Sequence, residues 1–508
     1  MNIKEAKKQI ADTLKAYLAR DEYGNYLIPP VRQRPIFLLG APGIGKTQIM
    51  EQIASEENVG LVAYTITHHT RQSAIGLPYI EKRLYGGTEY AVTEYTMSEI
   101  IGSVYSLMEK TGIREGILFI DEINCVSETL APMMLQFLQC KTFGNQKLPE
   151  GWLIVAAGNP PEYNRSVREF DVVTLDRVKK ITVEENFGVW KEYAQRKGLH
   201  GSVISYLDLK KDNFYRMENT AEGLQFATPR GWEDLSEIIF AYEKLELKID
   251  VSVVEQYIQL PSVARDFANY LSLYDKYRKT YHIDDIFHGS WAKTDEVEFR
   301  SAPFDEKLSV LGLILSGLSD SARSAHFTEK LVDSLHETLV QFKERLSTTE
   351  SPAAAMNDCI ADCYRELKRA ADAGQEDKTF RDRKLREQML LSDYRDILVK
   401  EEISSADAAM NRIRELFDVE ISRFRSQTDE TSEKLENAFA FLEASVGQSQ
   451  EMVIFVTELT SGYDTSWFIE SFGCDAYFRH NSELLFNDTR RKIVKKIISA
   501  SGEPGAEA

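Results

Sequence analysis

Cysteine is scarce in this chain: Cys125, Cys140, Cys359, Cys363 and Cys474 make an odd set with no CxxC pair among 508 residues. A disulfide-stapled framework is excluded, and a reducing compartment fits best. No run of about 18 apolar residues occurs, so no membrane-spanning helix is expected. The opening MNIKEAKKQIADTLKAYL has no continuous apolar core of the kind a secretory leader carries. The expected location is the cytoplasm, with no membrane contact. Positive charge is also in short supply: 61 Lys and Arg against 80 Asp and Glu leave a formal charge of −19. No global field exists to hold nucleic acid or anionic lipid, and any such contact must be local. Glycine and proline nearly vanish between Leu318 and Val446, where only Gly374 and Pro352 occur. Few breakers mean long helices.

The length accommodates about three domains with a sizeable core. Before residue 300, short apolar runs alternate with helical stretches, the arrangement of a parallel sheet covered by helices. The runs are 35–39, 61–66, 116–120, 152–157 and 180–183, each nearly all apolar, as strands buried on both faces should be. The expected division is an α/β core over 1–190, a helical lid over 191–300, a long-helix region over 301–450, and a compact segment over 451–508 ending in a disordered tail. Helices are expected over 321–346, 355–373, 377–401, 405–424 and 430–446, with a bundle favoured over an extended coiled coil because the heptads are irregular. Cys359 and Cys363 share helical spacing, but without a third ligand nearby they read as small buried core residues rather than a metal pair.

Against this background Gly40-Ala41-Pro42-Gly43-Ile44-Gly45-Lys46-Thr47 follows the first apolar run and matches the phosphate-binding loop G-x-x-x-x-G-K-[ST]. Its glycines let backbone N–H groups turn around phosphate oxygens, Lys46 reaches the outer phosphates, and Thr47 offers its hydroxyl to magnesium. With Gln48 these residues are the candidate nucleotide-binding set. The run ILFI ends in Asp121 and Glu122, the first placed for the magnesium shell and the second for taking a proton from an attacking water. The run WLIVAAG ends at Asn159, whose neutral amide suits orienting that water. Arg177, in LDRV, is expected on the far edge of the domain, where it would serve a phosphate held by a neighbouring subunit; Arg165 and Arg168 compete for this role. Thr228 and Pro229 signal a helix start that holds Arg230 in its first turn, for the outermost phosphate.

This order of parts resembles an AAA+ ATPase over residues 30–240: GAPGIGKT is similar to its Walker A, LFIDEI to Walker B, AAGNP to sensor 1, LDRV to the arginine-finger position and ATPRGW to sensor 2. Within the superfamily it is most similar to the MoxR group, in the branch with a β-hairpin inserted in the second helix. Residues 79–95 suit that hairpin, turning at Gly86-Gly87, with Thr96 and Glu99 as a capping box beyond it. LDRV lacks the phenylalanine usual after the arginine, and residues 304–508 resemble nothing placed. The resemblance implies a P-loop α/β fold with helices on both faces of a parallel sheet and a helical lid, to which the breaker-poor stretch adds a mainly α-helical C-terminal region. It also implies ATP and Mg2+, a hexameric or similar ring, and remodelling of a partner protein, often one with a von Willebrand factor A-type domain. Nucleic acid is not expected as a partner.

The hairpin and the loop 141–150 are then where a ring would meet its partner. Tyr85 and Tyr90 read equally as gripping side chains or as packing for the hairpin. His68, His69 and Arg71 read equally as neighbours of the nucleotide or as a hydrogen-bonded loop. Rival readings of the whole are an ATP-switched scaffold with slow turnover, and a DNA-directed or chelatase-type motor subunit.

Overall fold

The computed structural model describes residues 1–68, 72, 74, 76–143, 146–163, 167, 170–220, 223–375 and 378–482. Its first strands are β1 (Ile36–Gly40), β2 (Gly60–Thr65), β3 (Pro78–Tyr85), β4 (Thr88–Tyr95), β5 (Gly116–Asp121), β6 (Thr142–Phe143), β7 (Gln146–Lys147), β8 (Trp152–Gly158) and β9 (Lys179–Val183). The five apolar runs pair as one parallel sheet in the order β2-β5-β8-β1-β9. Contacts divide the chain into two units, residues 1–189 with 338–409, and residues 190–337 with 410–508. This differs from the sequence-based division, because part of the long-helix region belongs with the sheet.

Alternation explains why both faces of the sheet are covered. Phe37, Val62, Leu118, Ile120, Ile154 and Ala156 pack with Ile100, Val104, Met134 and Phe137 from helices Glu99–Thr111 and Ala131–Cys140. The residues between them, Ile36, Leu38, Ile117, Phe119 and Val155, are equally buried on the opposite face. Helix Lys46–Glu56 packs on β2 and β5, and the N-terminal helix Ile3–Leu18, capped reciprocally by Asn2 and Glu5, lies beside it. At the far end of the sheet the indole of Trp152 occupies space that a Cβ on Gly60 or Gly116 would claim.

β3 and β4 form the expected hairpin, and Gly86 and Gly87 both take left-handed φ values (59° and 86°), as a two-residue turn between twisted strands requires. The capping box expected at Thr96 is corrected. Ser98 is the cap of helix Glu99–Thr111, accepting from the Ile101 amide, while the Thr96 hydroxyl accepts from the Leu77 amide at 2.8 Å and closes the base of the hairpin.

β2 is an edge strand, and exposed edges invite unwanted pairing. Here the edge is met by the end of helix Pro352–Asp372: the Leu61 amide donates to the Ala373 carbonyl (2.9 Å), and Gln375 Nε2 donates to the Val59 carbonyl (2.9 Å). Gly374 makes the approach possible, with φ +68° and a position where a Cβ would lie 3.0 Å from the Leu61 oxygen. The following helix, Lys378–Lys400, pairs with Pro352–Asp372. Between them Lys384 bridges Glu366 (2.9 Å) and the fully buried Glu387 (3.1 Å), whose other oxygen accepts from the Thr338 hydroxyl. Cys359 and Cys363 are buried here, and burial pushes their thiols up to about 11 and about 12, away from the thiolate form that metal ligation needs.

The second unit is mostly helical and includes a hairpin, β10 (Arg216–Thr220) and β11 (Gly223–Ala227), within the span expected to be a helical lid. Its rings cluster around Tyr206, Trp232 and Phe267, 5.1–5.6 Å apart, and around Phe299, Phe439, Phe441 and Phe455. Where the sequence suggested two helices over 405–424 and 430–446, a single helix Ala406–Ser445 runs through, since the intervening polar residues contain no breaker. Residues 483–508, with the tail expected to be disordered, lie outside the described residues. No helix among the described residues is long and apolar enough to cross a membrane.

Gly374→Val should destabilise the first unit by about 2 kcal/mol, the cost of a branched residue in left-handed backbone plus the clash with Leu61. Hydrogen exchange at the Leu61 amide should accelerate in step, and unchanged protection there would show that the helix end does not secure this edge.

Candidate nucleotide site

Parallel register brings the carboxyl ends of three strands side by side. Leu39 pairs with Gly158 across β1 and β8, and Ile120 pairs with Ala156 across β5 and β8. The residues that follow these strands therefore share one end of the sheet, the end where open parallel sheets take ligands. Gly40 to Thr47 leave β1 there. Gly43 and Gly45 adopt φ +78° and +92°, turning the loop before helix Lys46–Glu56 begins. Gly40 is the other obligatory glycine, since a Cβ would lie 2.9 Å from the Val183 carbonyl.

Lys46 is 8 % exposed, and its ammonium donates to the carbonyls of Gly40 and Ala41 (both 2.8 Å) and to Asn159 Oδ1 (2.9 Å). The charge is thus held inside the loop and against the end of β8. Thr47 Oγ1 donates to Asp121 Oδ2 at 3.2 Å, so the hydroxyl and carboxylate expected to share a magnesium shell do meet. That pairing of hard oxygen donors fits the group. The other Asp121 oxygen accepts from the Glu122 amide (2.9 Å). Glu122 itself has φ +57°, a left-handed position costly for a residue with a Cβ, and its Oε2 accepts from Thr67 Oγ1 at 2.9 Å.

Lys46, Thr47, Asp121, Glu122 and Asn159 are brought together. Arg177 stands apart from them in the hydrogen-bond network: exposed after the short helix Val172–Leu175, it donates to the Gln139 side chain. Arg230 lies in the second unit, exposed in the first turn of helix Pro229–Lys244, with Thr228 capping through its hydroxyl to the Gly231 amide (3.3 Å). Arg165, Arg168, His69 and Arg71 lie outside the described residues. His68 ends the short turn Ile66–His68 that also carries Thr67. Tyr85 and Tyr90 are each more than half exposed, their rings 6.1 Å apart across the hairpin. In the loop 141–150, β6 and β7 form a minimal antiparallel pair.

Sequence reasoning missed Thr67 and Asn124. Asn124 is buried, and its Nδ2 donates to the Asn159 carbonyl at 2.7 Å. For Thr67 the available signal was positional, a polar residue directly past the run 61–66; Asn124, four residues past Ile120, had none.

Residues 35–178 match the AAA domain (dynein-related subfamily). No curated protein matches the chain. Among 119 solved chains that do match is the crystal structure of "a putative ATPase" from Cytophaga hutchinsonii. It is 19 % identical over 35 % of this chain, with a TM-score of 0.20, too low a likeness to carry an argument. The match spans about half, 51 %, of that protein's length. Residues 35–178 are thus an AAA-type P-loop domain, a nucleotide-binding fold, followed by a mainly helical C-terminal region.

Replacing Lys46 with Met strands three acceptors and removes the charge. Binding of a fluorescent ATP analogue should weaken by about tenfold or more, since a charge-assisted hydrogen bond contributes about 1.5–3 kcal/mol. Unaltered affinity would take the loop out of nucleotide binding.

Proposed function

We propose that this chain is an ATP-hydrolysing AAA+ protein of the MoxR type, working as a hexameric ring in the cytoplasm to remodel, assemble or load a partner protein. The observation that carries the reading is the convergence of Lys46, Thr47, Asp121, Glu122 and Asn159 at one end of the sheet. A nucleotide-binding fold with no hydrolytic role would have little use for a carboxylate held in strained backbone beside Asp121.

In this reading the loop amides and Lys46 bind the phosphates, Lys46 exchanging two neutral carbonyl partners for charged oxygens. Thr47 and Asp121 would hold Mg2+, which supplies charge neutralisation at the phosphates when bound. Glu122 takes the proton of the attacking water, and the Thr67 hydroxyl orients its carboxylate. Asn159 presents Nδ2 as a donor, because its Oδ1 is occupied by Lys46. Arg177 acts on a neighbour's site, and Arg230 on the outermost phosphate from the second unit. The exposed hairpin β3–β4, with Tyr79, Ile80, Leu84, Tyr85 and Tyr90 open to solvent, would face the partner protein, for which one with a von Willebrand factor A-type domain is the candidate to test.

A second reading, an ATP-switched assembly with slow turnover, is favoured by one observation. Residues 338–409 pack in the same unit as the nucleotide site and meet the strand that leads to Thr67.

Glu122→Gln should bind ATP as the native protein does and lose turnover by about a hundredfold or more, the usual scale of a lost general base. Retained turnover would overturn the hydrolytic reading. For Arg177, the Ala variant alone should be inactive, and mixing it with Glu122→Gln subunits should restore part of the activity, because some interfaces then combine an intact Glu122 with an intact Arg177. Mixtures that stay inactive despite exchanging subunits would remove Arg177 from the neighbour's site.

A further inference from the structure

Glu122 and Asn159 follow different strands, and hydrolysis as proposed above needs them at a fixed separation around one water. The bond that ties their segments comes from Asn124. It lies two residues after Glu122 in the turn Ile123–Cys125, which the Cys125 amide closes onto the Glu122 carbonyl at 2.9 Å. Its side chain is 4 % exposed, with Nδ2 donating to the Asn159 carbonyl at 2.7 Å. The amide also lies flat against Gly158, where a Cβ would come within 2.5 Å of Asn124 Oδ1 and 2.7 Å of its Cγ. Only glycine allows that approach.

Asn159 is therefore held from three sides. Asn124 takes its carbonyl, Lys46 takes its Oδ1, and Pro160 restricts its backbone to extended conformations. We propose that Asn124 is a positioning residue for hydrolysis: it locks the end of β8 to the turn carrying Glu122, and so sets the reach from Asn159 Nδ2 to the Glu122 carboxylate. The proposal rests on the ATPase reading. The position demands a neutral donor, since a carboxylate would face the Asn159 carbonyl oxygen with no hydrogen to share, and serine is too short to span the gap over Gly158.

The test is steady-state ATPase kinetics of the full chain with Asn124→Ala, Asn124→Asp and Gly158→Ala, beside Glu122→Gln. Asn124→Ala should lower kcat by about tenfold to a hundredfold, the scale of an ångström-level misplacement, while KM for ATP stays within about threefold because the loop is untouched. Gly158→Ala reports on the same contact should the Asn124 variant fail to fold. The double variant should be no slower than the worse single, because both substitutions break one interaction. Asn124→Asp should be slow at pH 8 and gain on the native enzyme as pH falls, when its protonated carboxyl can donate to the Asn159 carbonyl. An Asn124→Ala kcat within twofold of native, a loss confined to KM, or multiplicative effects in the double variant would each overturn the clamp. Any of these with Glu122→Gln inactive leaves the ATPase reading standing, whereas full activity of Glu122→Gln overturns that reading and the clamp together.

Discussion

A lysine ammonium buried at the end of a parallel sheet is the constraint around which this protein is arranged. A buried cation is tolerated only when oxygen atoms replace its water, and Lys46 donates to two carbonyls of its own loop and to Asn159 Oδ1. That requirement decides several things at once. The loop must curl so that the Gly40 and Ala41 carbonyls point inward, which the left-handed Gly43 and Gly45 permit. β8 must lie next to β1, so that its last residue comes within reach. β5 must flank β8, so that Asp121 arrives beside Thr47. The strand order β2-β5-β8-β1-β9 serves these demands, and the strand nearest in sequence to β1 is sent to the edge.

Sending β2 to the edge creates the problem that the helices after residue 338 address. The hydrogen bonds from Leu61 and Gln375 occupy backbone groups of β2 and of Val59 just before it. The helix pair that provides this cap is fixed in turn by Lys384, whose ammonium sits between Glu366 and the buried Glu387. Burial opposes the charge on Lys384, but its hydrogen bond to Glu366 and the charge of Glu387 outweigh it, so the ammonium titrates above its ordinary range. A group with a raised folded pKa contributes its stability in full below the ordinary lysine value and loses it as pH rises through the raised one. The ammonium's contribution to the cap is therefore complete at neutral pH and is lost in strongly alkaline conditions. Such ion pairs are stronger as determinants of register than of stability.

The sheet was legible in the sequence because its strands are short, largely apolar runs; the central ones, β1, β5 and β8, are buried on both faces, while the edge strands β2 and β9 alternate. The loop 40–47, Asp121, Glu122 and Asn159 were legible for the same reason, each lying directly past such a run. What was not legible depends on contacts distant in sequence. The pairing of residues 373–375 with 58–61 involves one glycine and one glutamine in a charged helical region, with no local signature. Thr96 looked like a cap because Glu99 follows it, yet the hairpin base needs its hydroxyl more, and Ser98 takes the cap. Asn124 is a small polar residue after two carboxylates, and only the close passage of Gly158 reveals its task.

The distribution of charge sharpens the proposed roles of the two arginines. In a chain of net charge −19, a solvated arginine is normally matched by a carboxylate neighbour. Arg177 donates its hydrogen bond to a neutral amide, Gln139, and the Asp171 carboxylate lies near enough to feel its charge. Arg230 occupies the first turn of helix Pro229–Lys244, a turn with no acidic residue, where the helix dipole disfavours a cation. Asp171 and Asp234 each feel the charge of the arginine in their own segment, yet at Arg230 the dipole still exacts a cost. That cost is repaid where a phosphate arrives, because an anion at a helix start gains from the backbone amides and the guanidinium together. The proposed placement of the one on a neighbour's site and the other on the outermost phosphate rests on exposure: both guanidinium groups are open to solvent, so an incoming phosphate can reach them without displacing a buried partner.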